Sequence, residues 1–131
     1  MGAWGSGPFE NDDAGDWVWE LEDDEDGSVI DAALSAVVDT PPHELVEAGD
    51  ASNALAAAEI VAAARGRSDS QLPTEAAEWI RRNGALVSDA VVTLAVRAVD
   101  RVLAGSELKE LWEEAGDPEW EQVVSALRSR L

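Results

Sequence analysis

Residues 51–64 read ASNALAAAEIVAAA. Alanine, leucine, isoleucine and valine fall on every side of the helix this run predicts, and Gly66 stands where it would stop. A helix with no polar face belongs at the centre of a helical domain, covered by others. Glu59 is the single charge within it. A carboxylate in that position must reach water, take a cationic partner or stay protonated.

A second very apolar helix is predicted from Ser88 to Leu103, capped by Ser88 and ended by Gly105. Val91, Leu94, Ala95, Ala98, Val99 and Val102 give it a wide apolar face. Arg97 and Arg101 lie four residues apart and share a side. Because these two central helices are expected to touch, one of the two arginines is expected to pair with Glu59. Glu59, Arg97 and Arg101 then form a structural set of buried polar residues.

Shorter amphipathic helices surround this pair. One runs from Ser28 to Val38, with Ile30, Ala33, Leu34, Val37 and Val38 as core residues, and is stopped by Asp39-Thr40-Pro41-Pro42. His43 follows in a polar loop and carries no role. Pro73 opens a helix with Ala76, Ala77, Trp79 and Ile80 on its apolar side, closing at Asn83-Gly84. Ser106 caps a helix bearing Leu108, Leu111, Trp112 and Ala115, and Asp117-Pro118 starts a last one bearing Trp120, Val123, Val124, Leu127 and Leu131. No alternating run is long enough for a strand. The expected fold is all-α: one domain over residues 1–131, a bundle of six or seven short helices around two very apolar central ones.

The amino-terminal stretch MGAWGSGPFENDDAGDWVWELE, residues 1–22, combines three tryptophans and the only phenylalanine with a dense block of acid. Residues 1–11 read as a Gly/Trp-rich arm, with Trp4 and Phe9 folding back on the domain. Asn11 or Asp12 caps the first helix, whose apolar stripe is Ala14, Trp17, Val18 and Leu21. Asp13, Asp16, Glu20 and Asp24 line the other side. This opening resembles that of a bacterial family catalogued as domain of unknown function 4259, whose members begin with a similar Met-Gly-x-Trp-Gly, then Phe-x-Asn-Asp and Asp-Trp. The matching positions here are Met1, Gly2, Trp4, Gly5, Phe9, Asn11, Asp12, Asp16 and Trp17. The resemblance extends to ALAAAEIVAAARG, to ELWEEAG, to Trp120 and to the closing Arg130-Leu131. It implies no activity, since the family's name assigns none.

Charge narrows the function further. The hydrophobic fraction of 46% suits a folded domain, but the net charge of −19 is extreme and polarised. Residues 1–64 hold sixteen acids and no Lys or Arg; residues 65–131 hold twelve acids against nine basic residues. The halves therefore carry −16 and −3. Adaptation to high salt would favour an even spread. Such a surface repels phosphates, so nucleic acid is not an expected partner, whereas a basic protein would be steered to the first half. No apolar run or basic leader points to a membrane, and Met1-Gly2 with Ser6 fits N-myristoylation without the basic patch a single acyl chain needs. The lack of cysteine rules out a thiolate nucleophile and fits the cytoplasm; eight arginines to one lysine, with abundant alanine, fit a GC-rich bacterial genome.

One stretch resembles a cation site. Aligned on Gly27, Glu22, Asp24 and Asp26 occupy the first, third and fifth positions of an EF-hand loop, with Val29 eighth. The twelfth position, which should supply a bidentate Glu, is Ala33. At most a weak divalent-cation site is expected, and no other cofactor. No GxSxG, P-loop or HExxH is present, and one histidine without cysteine assembles no catalytic triad. The expectation is a non-enzymatic cytosolic protein-binding module of inhibitor or immunity type, docking a basic partner through Asp13, Asp16, Glu20, Asp23 and Asp24. The alternative is a divalent-metal-binding protein or metal-dependent hydrolase using the carboxylates of residues 12–26.

Overall fold

The computed structural model describes residues 5, 7–67 and 71–131. Asn11 makes the first decision: its side chain accepts from the N–H of Ala14 at 2.8 Å and starts α1, Asp12–Trp17. The chain then tightens into a 3₁₀ helix, Val18–Asp23, instead of continuing as one α-helix. The expected stripe survives the change, with Ala14, Trp17, Val18 and Leu21 all buried. Phe9 packs half-buried against the core; Trp4 lies outside the described residues.

Helix α2, Ser28–Val38, follows the expected bounds, and Ile30, Ala33, Leu34 and Val37 are buried. Gly27 precedes it at φ 81°, a left-handed conformation that glycine adopts without a Cβ penalty. Helix α3, Ala48–Ala64, begins a turn earlier than its apolar run predicts. Every residue from Ala54 to Ala62 is buried, Glu59 included. Helices α4 (Thr74–Asn83), α5 (Asp89–Ala104), α6 (Glu107–Glu114) and α7 (Glu119–Arg130) complete the chain, with a 3₁₀ turn over Gly84–Leu86.

Helix α3 packs against all six other α-helices, and α5 packs against α2, α3, α6 and α7. Composition explains that geometry. Alanine is the best helix former and the smallest side chain with a Cβ, so neighbours approach α3 from every direction without breaking its ladder. Larger side chains fill the space beyond it: Trp79, Leu21, Ile30, Leu34, Ile60 and Leu127 are almost wholly buried. The domain is all-α as expected, and outside the helices Val46 forms a parallel bridge with Ser106.

Two caps read from sequence are formed: Ser88 and Ser106 accept from the N–H groups of Val91 and Lys109. The last helix starts one residue later than expected, with Pro118 at the cap position and Asp117 accepting from the Glu119 N–H. Arg101 fastens the long 39–47 connection by donating to the carbonyls of Gly105 (2.8 Å), Pro41 (3.0 Å) and Glu44. Beside it, Val46 exchanges backbone bonds with Gly105 and Glu107.

Candidate interaction surface

The acidic stretch sits on one continuous rod, α1 and its 3₁₀ extension. Asp13, Asp16 and Glu20 are exposed and spaced three and four apart, and Asp23 is exposed at the end of the rod. Asp24 is different. It is 5% exposed, and both carboxylate oxygens are engaged inside the protein. Its Oδ2 accepts from Trp79 Nε1 at 2.8 Å and from the Gly27 N–H at 3.1 Å. Its Oδ1 accepts from the Ser28 hydroxyl at 3.2 Å and the Val29 N–H at 3.3 Å. The Asp24 carbonyl accepts from Asn83 Nδ2 at 3.0 Å, and Arg82 reaches the Leu21 carbonyl at 3.1 Å.

Asp24 is thus a buried junction joining the rod, α2 and the end of α4. That corrects its place both among partner-facing acids and among metal ligands. A surface carboxylate would face water; this one satisfies the N–H groups of Gly27 and Val29 at the start of α2 and the indole N–H of Trp79. Glu22 and Asp26 remain exposed on either side. Among the described residues, no three His, Cys, Asp or Glu side chains are placed to hold a metal ion. Asp26 has its own local partner: hydrogen bonds from the side chain and backbone of Ser28 hold its carboxyl below the usual carboxylate range.

The buried pair also differs from expectation. Glu59, fully buried, meets Arg130 of α7 at 2.7 Å. Arg97 is exposed, and Arg101 is occupied by the backbone of the 41–45 loop. The guanidinium comes from α7 because that helix also packs on α3. A signal for it was available: Arg130 follows Leu127 by three residues and so lies on the helix side that carries Trp120, Val124 and Leu127 into the core. Trp79, Arg82 and Asn83 gave weaker signals, because a core tryptophan and a helix stop do not advertise which polar group they will meet.

Pairing separates the two halves of the chain. Among the described residues, Glu59 is the one acid of the sixteen in residues 1–64 that forms an ion pair with Lys or Arg, leaving fifteen without such a partner. His43 lies 3.9 Å from Glu44. An open groove of about 420 Å³ lies in this half, where α2 passes the 3₁₀ helix and the start of α3. Trp17, Val29, Ala32, Ala33 and Ala36 line it, with Ser28, and Glu20 and Asp50 supply its charges. Trp19 on the same 3₁₀ helix is 59% exposed.

Fold and surface together define a small all-helical domain with a strongly acidic, cation-poor half. A family model described as domain of unknown function (DUF4259) matches residues 2–123, and the chain belongs to that family. Neither the curated proteins nor the solved structures contain a match to it.

Proposed function

We propose that this protein is a non-enzymatic cytosolic binding module that docks a basic partner protein through its acidic first half, in the manner of an inhibitor or immunity protein. The observation that carries this reading is that, among the described residues, fifteen first-half acids form no ion pair with Lys or Arg. Exposed carboxylates held on a rigid rod retain their field, attract a cationic surface from a distance and orient it on arrival. Asp13, Asp16, Glu20 and Asp23 are the contact acids in this reading; Asp24 holds the rod in place. No helix among the described residues is long and apolar enough to cross a membrane, which accords with a partner met in solution.

The test is capture of partners on immobilised protein at low salt, followed by reconstitution of the purified pair. The expected complex weakens steeply with added salt and is lost in a D13K/D16K/E20K variant that still folds. A complex indifferent to both changes would overturn the reading. Bound divalent metal would draw on the other carboxylates of residues 12–26, since both Asp24 oxygens already accept hydrogen bonds. Calorimetric titration of chelator-stripped protein with Ca²⁺, Mg²⁺, Mn²⁺ and Zn²⁺ checks that alternative, and a saturable site of integral stoichiometry would favour it.

A further inference from the structure

Resting on that reading, we infer that the partner element is a basic amphipathic helix, seated in the groove between α2 and the 3₁₀ helix. The groove offers both things such a helix needs. Its floor is apolar: Trp17 and Ala33 reach it from the core, and Val29, Ala32 and Ala36 continue it along α2. Its charged lining is purely acidic, Glu20 from the 3₁₀ helix and Asp50 from the first turn of α3. Among the described residues, no Lys, Arg or His lines it.

Shape selects a helix over an extended strand. The α2 residues at the groove recur at positions 28, 29, 32, 33 and 36, one helical face with small side chains. A surface of that kind lets a second helix axis come close, as small residues do wherever helices cross tightly. An extended strand would seek free backbone donors and acceptors along an edge. The backbone of α2 is already bonded within the helix, so the surface has side chains only to offer. Charge selects the partner's polar face. Lysines or arginines flanking its apolar stripe would reach Glu20 on one helix and Asp50 on another, fixing register as well as adding attraction. A second copy of this chain is disfavoured, because its own half of charge −16 would meet an identical one.

Three synthetic peptides of about eighteen residues, long enough to pass the eleven residues of α2, serve as probes. The first is a Lys/Leu helix with leucines at i, i+3, i+4 and i+7; the second has the same composition scrambled to remove the stripe; the third has Glu for Lys. Titration at low salt is expected to give saturable one-to-one binding of the first peptide. Binding of the second should be at least about tenfold weaker, the loss of one leucine-sized anchor, and the third should not bind. Ala36→Glu adds an acid while filling the groove at an exposed helix position, so folding is preserved. It is expected to weaken the first peptide at least tenfold, although attraction by charge alone would strengthen it. Equal binding of the first two peptides, or unchanged or tighter binding by the Ala36→Glu protein, overturns the groove assignment and leaves acidic docking standing. Failure of both basic peptides to bind at low salt overturns both.

Discussion

Replacing Asp24 with asparagine changes almost no volume and removes one of many negative charges, so a solvated acidic turn would gain slightly from it. The structure requires the opposite. Four donors converge on two oxygens, and an amide has one oxygen. If the NH₂ replaces Oδ2, it faces the N–H groups of both Trp79 and Gly27. If it replaces Oδ1, the Ser28 hydroxyl can turn to accept, but the Val29 N–H is stranded. The better orientation therefore leaves one part-buried donor, the Val29 N–H, without its partner, at about 1–3 kcal/mol, and turns the remaining charge-assisted bonds into weaker neutral ones. A net loss of about 2–4 kcal/mol follows, and Asp24→Ala, which removes the acceptor of all four donors, should lose more. For a chain of 131 residues that corresponds to a fall in Tm of roughly 8–15 °C. Urea unfolding followed by circular dichroism, at fixed salt and pH 7, measures it. Asp23→Asn, one residue away and exposed, is the control and should be neutral or mildly stabilising. Equal stability of the two variants would refute the buried junction. A double-mutant cycle with Trp79→Phe should also show coupling of at least about 0.5 kcal/mol, because the two side chains touch.

Arg130→Met should cost about 3–5 kcal/mol by denaturant unfolding, since it withdraws a close cation from the fully buried Glu59. The Glu59→Met, Arg130→Met double variant should lose less than the sum of the two single changes. The Asp26 carboxyl should titrate below the ordinary aspartate value in a carboxyl-carbon NMR series, and Ser28→Ala should move it upward. Because the folded value is depressed, the stabilisation linked to Asp26 is present above its unfolded pKa and disappears as pH falls through the folded one. Arg101→Ala removes donors to three carbonyls and should accelerate hydrogen exchange at Val46 and Glu107, with helix α3 unchanged. Added NaCl should raise the Tm of the free protein by screening its self-repulsion, while weakening any complex with a basic peptide.

The helices were legible because their signals are local. Apolar spacing gave α2, α5 and the stripe through Ala14, Trp17, Val18 and Leu21, and Ser88 and Ser106 announced their caps. The all-round apolarity of residues 51–64 marked α3 for burial, and α3 packs against each of the other α-helices. Pairings between distant polar residues were not legible to the same degree. Asp24 looks like its neighbours because an acidic run gives each member the same appearance; only the arrival of Trp79, 55 residues later, distinguishes it. Glu59 demanded a partner, and nearness to α3 suggested α5, but α7 also lies against α3 and its Arg130 continues an apolar stripe. The α2 groove is not legible in the sequence because it is made by a helix, a 3₁₀ turn and the start of a third element, none of which shows the concavity alone.

The arginines explain how so acidic a half remains anchored. Arg82 donates to carbonyls of the Leu21–Asp24 segment and Arg101 to carbonyls of the 41–45 loop, while Arg130 holds the buried Glu59. Two of these three attach first-half backbone and leave first-half carboxylates free. A carbonyl–guanidinium bond secures the chain without quenching a surface acid, whereas an ion pair at the same place would secure it and shorten the reach of its field. Stability alone would be served by moving some cations onto the rod, where Asp13, Asp16 and Glu20 repel one another. Retaining the repulsion while fastening the backbone from beneath costs the free domain some stability and keeps the first-half carboxylates charged at the surface, which is what the proposed docking requires.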